Sequence, residues 1–335
     1  MEMKVNRIGV LTSGGDAPGM NAAVRAVVRT AVNHGVECIG IRRGWNGLIN
    51  SDFLQMTTSS VSHIINRGGT MLYTARSKEF LEPAGRAKAL STCKLLGLDG
   101  LVAIGGDGTF RGALALSRQA AESGMDLQVV GIPATIDNDI GCSHYTIGFD
   151  TACNTAIECI DKLRDTMQSH ERCSVVEVMG RHAGYLALYV GLSVGATAVL
   201  IPERELDFER DIVEKIRRAR LSGTTHYMIV VAEGAGSAVD IANRIREEVG
   251  LDPRVTVLGH IQRGGSPSAR DRETASRMAY EAVMSLIEGN GNRVIATRNG
   301  QLVRLDMEEA LQMKKTFQMD RYQILEALSS QRNFF

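Results

Sequence analysis

Eight short runs of almost unbroken apolar and β-branched residues recur along the chain: RIGVLTS, VECIGI, GLVAIGG, LQVVGIP, CSVVEVMG, TAVLIPE, HYMIVVAEG and RVTVLGHI. Between them lie helical patterns such as MNAAVRAVVRTAVNHG, RAKALSTCKLLG and FERDIVEKIRRARLSG. The runs are apolar nearly throughout instead of alternating, as strands covered on both faces are. This rhythm is that of an α/β fold with mainly parallel sheets. Glycines 35, 97, 223 and 250 follow helical patterns and suit the left-handed stop of a helix. At 335 residues the chain is long enough for two cores of ordinary size. No low-complexity linker or repeat marks a boundary. The domains are expected as 1–147 plus about 261–311, and 148–260 plus about 312–335, with the first crossing near Gly148 and the return near His260.

Charge removes several function classes. Lys plus Arg equals Asp plus Glu at 38 each, so no overall field would recruit nucleic acid or an anionic membrane. An anionic ligand must instead be met by locally clustered arginines. No window approaches the roughly 18 apolar residues of a membrane span, and no basic stretch with an apolar signal run opens the chain, so a cytoplasmic protein is expected. The six cysteines form no CxxC pair, which fits reduced, packed thiols better than a disulfide frame or zinc site.

In open parallel sheets ligands gather where strands end at their carboxyl side. TSGGDAPGMN (12–21) and GGDGT (105–109) both leave such strands and lead into helices, with a helix predicted to begin near Thr109. Their glycines let backbone approach a ligand, and the following helix N-termini offer N–H groups to an anion. Two such loops at one sheet edge suggest a polyphosphate. Neither is a GxxxxGK[ST] loop or a GxGxxG fingerprint. Asp107 sits inside the second loop, where a bare carboxylate would repel phosphate but one holding Mg²⁺ would help bind it. It could equally cap the next helix. In GIPATIDNDIG (131–141), Asp137 follows the strand and is placed to deprotonate an attacking hydroxyl. Asp139 structures the turn or helps with the metal; as an isolated segment, both could be turn aspartates.

Taken together, LTSGGDAPGMN, INRGGT with TARS, IGGDGT, PATIDNDI, YTIGFDTA, SHERCSVVEVMGRHAG, VAEG and VLGHIQRGGSP resemble the bacterial type of ATP-dependent 6-phosphofructokinase, from about Arg7 to Met313. The resemblance implies two similar three-layer α/β/α domains, a larger nucleotide-binding and a smaller sugar-phosphate-binding one, with the active site in the cleft between them. It implies Mg²⁺-assisted transfer from ATP to fructose 6-phosphate in glycolysis, within a homotetramer that shares active sites across a subunit interface. Laid onto this chain, it places Gly15, Arg76, Ser77, Gly106, Asp107, Gly108 and Thr109 at the nucleotide, with Asp107 at the metal. Asp137 becomes the base, Thr135 lies beside the transferring phosphoryl and Arg181 neutralises its charge. Thr135, Ile136, Asp137, Met179, Gly180, Arg181, Glu233, His260, Ile261, Gln262 and Arg263 would line the sugar phosphate, joined by Arg172 and Arg254 from a neighbouring subunit. Arginine suits such a ligand because its fork is always charged and bidentate.

Two departures matter. Pyrophosphate-using relatives carry Asp where this chain has Gly108 and Lys where it has Ala134, so ATP is the expected donor and pyrophosphate the alternative. Arg25, Arg29 and Arg164 match the family's effector site for ADP or phosphoenolpyruvate. However, its glutamate is Thr197 here, lysines before HYMIVV are Ser222, Thr224 and Thr225, and an arginine expected around Ser51 to Phe53 is missing. Effector control is therefore expected to be weak or altered. Rival classes fit less well. A nicotinamide-dependent oxidoreductase should show GxGxxG. A lipid or nucleotide kinase with GGDGT should lack PATIDND and GHIQRGG, and an inactive regulatory subunit should have lost Asp107, Asp137 or Arg181.

Overall fold

A computed structural model describes residues 5–317 and 319–329; residues 1–4, 318 and 330–335, which the expected domain spans include, lie outside the described residues. Among the described residues eleven strands run in chain order as β1 (Arg7–Thr12), β2 (Glu37–Ile41), β3 (Phe53–Met56), β4 (Gly100–Gly105), β5 (Gln128–Pro133), β6 (Cys173–Val178), β7 (Ala198–Leu200), β8 (Tyr227–Ala232), β9 (Arg254–Val257), β10 (Arg293–Arg298) and β11 (Gln301–Asp306). The helices are α1 (Met20–Asn33), α2 (Gly44–Ile49), α3 (Pro83–Leu96), α4 (Asp107–Glu122), α5 (Phe149–Ser169), α6 (Tyr185–Ser193), α7 (Glu214–Leu221), α8 (Ala238–Val249), α9 (Ala269–Ile287), α10 (Met307–Gln312) and α11 (Met319–Ser329). All eight apolar runs are strands, and each of the four helix-stopping glycines has positive φ.

The chain divides into two compact units. Among the described residues one comprises 5–136, 140–150 and 263–315; the other comprises 137–139, 151–262, 316–317 and 319–329. The first unit holds a seven-stranded sheet in the order β11-β10-β5-β4-β1-β2-β3. Its five inner strands are parallel, while β3 and β11 pair antiparallel at the edges. Because β1 and β4 are covered on both faces, they are buried almost end to end, which is why their sequences do not alternate. Leu11, Leu101, Phe110 and Leu116 pack one side of this core, and Trp45 stacks on Phe80 at 4.5 Å.

The second unit holds a wholly parallel four-stranded sheet, β7-β8-β6-β9, around a core that includes Val175, Ile212, Ile229 and Ile245. Here one expectation changes. RVTVLGHI reads as a strand buried on both faces, yet β9 is an edge strand with Val255 36% and Val257 54% exposed. The helix expected from Phe208 begins instead with a π-helical turn, Glu209–Val213, before α7. Within that turn Asp211 is buried. Burial alone would raise its pKa, but Arg210 donates to both its oxygens (2.9 and 2.8 Å) and the Asp207 amide and Arg204 add to this, so the carboxyl is held below its usual range. Arg204 also donates to the Tyr322 hydroxyl (2.5 Å), which ties α11 to the same cluster.

The apolar rhythm does not mark β3, β10 and β11. The two edge strands β3 and β11 are only partly buried. The β10–β11 hairpin turns on Asn299 and Gly300, whose φ of 49° and 77° fit an Asn-Gly hairpin turn. Cysteines behave as the composition implies: none of the six is in a disulfide and all but Cys159 are buried. Burial pushes the Cys38, Cys93 and Cys173 thiols up to about 12.

Candidate active site

In the first unit, parallel register fixes where the loops emerge. Thr12 lies opposite Ile104, and Gly105 opposite Pro133, so the segments after β1, β4 and β5 leave the sheet at one level. Backbone bonds then join them: Ser13 N–H donates to Ile104 O (3.0 Å) and Ala134 N–H to Gly105 O (3.0 Å). The Thr109 hydroxyl donates to Ser13 O (3.2 Å). Gly105 must be glycine, since a Cβ there would lie 2.4 Å from both Ser13 O and Thr109 Oγ1. TARS joins the group through Thr74, whose hydroxyl donates to Gly14 O (2.7 Å), leaving Arg76 exposed beside it. The nucleotide residues expected from sequence, Gly15, Arg76, Ser77 and Gly106 to Thr109, therefore belong to one linked set of loops.

Helix α4 starts two residues earlier than predicted. Gly106 occupies the cap position and Asp107 the first turn, so Asp107 is not the helix cap. Its carboxylate is exposed at the positive end of a 16-residue helix. Among the described residues no group of three or more His, Cys, Asp or Glu could hold a metal. A single exposed carboxylate fits Mg²⁺ only if phosphate oxygens and water complete the shell, which is the usual magnesium arrangement. Gly108 faces open space, with nothing within 4 Å of where its Cβ would be.

The segment after β5 is held from behind. Ala134 bridges Ile147, and the Thr146 hydroxyl donates to Thr135 O (2.6 Å). Asp271, fully buried, accepts from the Tyr145 hydroxyl (2.5 Å) and from Gly148 N–H (2.7 Å). Burial and this carboxylate raise the Tyr145 pKa, keeping it a donor. Ile136 is buried; Asp137, assigned to the second unit, is partly exposed. Asn138 takes φ 50° between the two aspartates, a left-handed conformation that Asn tolerates better than most residues.

In the second unit the same logic operates on β6, β8 and β9. Val178 lies opposite Ala232 and Glu177 opposite Val257, so Met179–Arg181, Glu233 and the 259–262 turn emerge at one edge. Glu233 N–H donates to Val178 O (2.9 Å), and Met179 N–H donates to Oε1 of the buried Gln262 (2.8 Å). Arg181 stands 4.0 Å from Glu233, with most of its side chain in solvent. His260 and Ile261 are both exposed. Arg172 and Arg254 are not in this group. They precede or open β6 and β9, at the opposite end of the sheet, about 20 Å away along a six-residue strand. There Arg254 pairs with Asp252 (3.5 Å), which also accepts from Arg246.

Of the effector positions, Arg25 and Arg29 lie four residues apart on α1, and Arg164 on α5 donates to Val194 O. Thr197, in the place of the family's glutamate, accepts from Met228 N–H through its hydroxyl (3.2 Å). Sequence reasoning overlooked Trp45, although it is the chain's single tryptophan. Its buried Nε1 has no hydrogen-bond partner and lies 3.0 Å from where a Gly112 Cβ would be, while Gly44 before it packs on Thr12 O. Asp271 was overlooked as well; its Ser268 cap, three residues back, was the visible signal.

The phosphofructokinase family model matches residues 7–286. The chain belongs to the phosphofructokinase family. It is 51% identical over 322 residues to an ATP-dependent 6-phosphofructokinase of Clostridium botulinum, covering 96% of this chain and 99% of that one. It is 53% identical over 325 residues to the Bacillus cytotoxicus protein of the same name, covering 97% and 100%. Among solved structures, Saccharomyces cerevisiae phosphofructokinase superposes with a TM-score of 0.85 at 34% identity, over 96% of this chain and 46% of that one, so this phosphofructokinase spans about half the yeast chain. The pyrophosphate-dependent phosphofructokinase of Marinobacter aquaeolei also gives 0.85, at 21% identity over 98% and 93%, and shows the fold alone. A fold common to both donor classes does not select the donor, and the sequence leads selection to be expected at Gly108 and Ala134.

Gly108→Asp tests that selection. The open space around Gly108 means the variant should fold with an unchanged melting temperature, while ATP-dependent turnover falls at least about tenfold from added charge and bulk. Undiminished ATP turnover would refute the steric and electrostatic account.

Proposed function

We propose that this phosphofructokinase transfers the γ-phosphoryl group of Mg·ATP to the 1-hydroxyl of D-fructose 6-phosphate, giving ADP and fructose 1,6-bisphosphate in the cytoplasm. What carries the reading is the combination of near-full-length identity to enzymes of that name with an open Gly108 and a buried, uncharged Ala134. An aspartate at 108 would repel the inner phosphate of a nucleotide, and Ala134 supplies no cation to retain pyrophosphate. No helix among the described residues is long and apolar enough to cross a membrane.

Catalysis rests on placement and charge. N–H groups at the start of α4 and backbone of the 13–16 loop hold phosphate oxygens, with Arg76 and Ser77 alongside. Mg²⁺, when bound through Asp107, offsets phosphate charge and orients the donor. Asp137 takes the proton of the 1-hydroxyl as that oxygen attacks, Thr135 lies beside the moving phosphoryl, and Arg181 stabilises the charge that spreads over it. Glu233 accepts from sugar hydroxyls, while His260 and Arg263 donate to the sugar phosphate; Met179, Gly180, Ile261 and Gln262 shape the pocket around it. Arg172 and Arg254 serve the site of a neighbouring subunit in a homotetramer. Their place at the far end of the sheet favours this, as does the exposed apolar edge of β9, because neither can reach Met179–Arg181 of its own unit.

Three measurements test this. Phosphorylation of fructose 6-phosphate is assayed with Mg·ATP and with Mg·pyrophosphate, for wild type and Asp137→Ser. ATP turnover should drop by about 10²- to 10⁴-fold in the variant with ATP binding retained; activity with pyrophosphate only would overturn the donor assignment. Arg254→Ala and Asp137→Ser, each nearly inactive alone, should regain measurable activity when co-expressed as hybrids, and hybrids without recovery would place Arg254 elsewhere. Finally, ADP or phosphoenolpyruvate should shift the fructose 6-phosphate saturation curve less than about threefold, since several cations of the effector site are absent; large shifts would contradict that expectation.

A further inference from the structure

Arg263 has a second attachment that its expected role at the sugar phosphate does not explain. Its Nη1 donates to the Asp16 carbonyl (3.0 Å), and its guanidinium lies over Gly15. A Cβ on Gly15 would stand 2.7 Å from Nη1, 3.3 Å from Cζ and 3.5 Å from Nη2, so the group covers the position that any side chain would fill. Gly15 is not in the left-handed region, unlike its neighbours Gly14 and Gly19. Glycine at 15 is therefore a requirement for space and not for conformation.

The base of Arg263 is held too. Two residues on, Gly265 O lies 2.3 Å from where a Gly68 Cβ would be, and the Ser266 hydroxyl donates to Asn66 O (2.8 Å). The INRGGT loop in turn is tied to the start of α1, because Asn21 accepts from Met71 N–H (2.7 Å) and donates to Gly68 O (3.0 Å). Arg263 thus spans from an anchored loop to the nucleotide loop. Holding the Asp16 carbonyl also fixes the plane of the next peptide, and with it the direction of the Ala17 N–H on its other side.

We propose that Arg263 is a positioning residue for the donor as well as a contact for the acceptor, with Gly15 kept small so that one guanidinium serves both loops. This rests on the proposed kinase reading, in which residues 14–16 meet the donor phosphates and Arg263 meets the sugar phosphate. Its consequence is that a change confined to the nucleotide loop alters acceptor binding. A guanidinium displaced from Gly15 loses its bond to the Asp16 carbonyl and with it the direction that this bond imposes.

The test is steady-state kinetics on Gly15→Ala, Arg263→Ala and the double variant, with KM for fructose 6-phosphate and for Mg·ATP measured separately. Gly15→Ala should keep the wild-type melting temperature within a few degrees, because the atoms it displaces are the tip of a flexible side chain. It should nevertheless raise the fructose 6-phosphate KM about tenfold, and in the Arg263→Ala background it should change that KM less than about twofold. Arg263→Lys, which keeps the charge and vacates the space over Gly15, should make Gly15→Ala equally silent. A fructose 6-phosphate KM that stays at the wild-type value in Gly15→Ala, or effects that multiply in the double variant, would overturn the proposal. Failure of the kinase reading would look different: the wild type itself would not phosphorylate fructose 6-phosphate, and the proposal would fall with it.

Discussion

Parallel pairing of β1 with β4, and of β4 with β5, is the constraint on which the nucleotide side of this protein depends. Strands that run in one direction, in matched register, end together. Three loops distant in sequence therefore begin at one edge, each with its backbone groups only partly used by the sheet. Ser13 N–H, Ala134 N–H and the Thr109 hydroxyl satisfy those groups across the loops, so the bonds that complete the sheet are the same bonds that set the loop geometry. The smaller sheet repeats the device: β6 and β8 end level, and Glu233 N–H continues their ladder to Val178 O.

Glycine has two separate uses at this edge. Gly14, Gly19 and Gly148 supply backbone conformations with positive φ. Gly15, Gly105 and Gly108 have no such need, and at these positions the absent side chain is what matters. At Gly105 it lets two backbones touch, at Gly15 it admits a guanidinium, and at Gly108 it leaves open space. Only the first use follows from turn chemistry read along a chain. The second depends on what folds against the residue.

Buried charge is spent sparingly and always with partners. Asp271 gives up hydration but receives the Tyr145 hydroxyl and the Gly148 amide, so a carboxylate with no part in the chemistry secures the segment that follows PATIDND. By contrast, the groups proposed to meet substrate, Asp107, Arg76 and Arg181, keep much of their surface exposed. For the two arginines, that exposure leaves the guanidinium accessible to an anion.

Much of this was legible along the chain. Near-continuous apolar runs identified eight of the strands because burial on both faces removes alternation, and strand-to-helix loops nominated the residues proposed to meet phosphate. Partly buried edges such as β3 and β11 carry no such mark, and β9 shares the apolar character of an inner strand while lying at an edge, because a sequence does not record which strands are neighbours. The same blindness hid Trp45, Asp271 and the seat of Arg263 on Gly15, whose partners are far away in sequence. The sequence by itself determined the fold class and the family and nominated the reactive side chains, since each is a matter of local pattern and residue type. Tertiary structure alone decided which of those residues share an edge, that Arg172 and Arg254 stand at the other end of their sheet, and which glycines exist for space, because these depend on strand order and on atoms brought close only by folding.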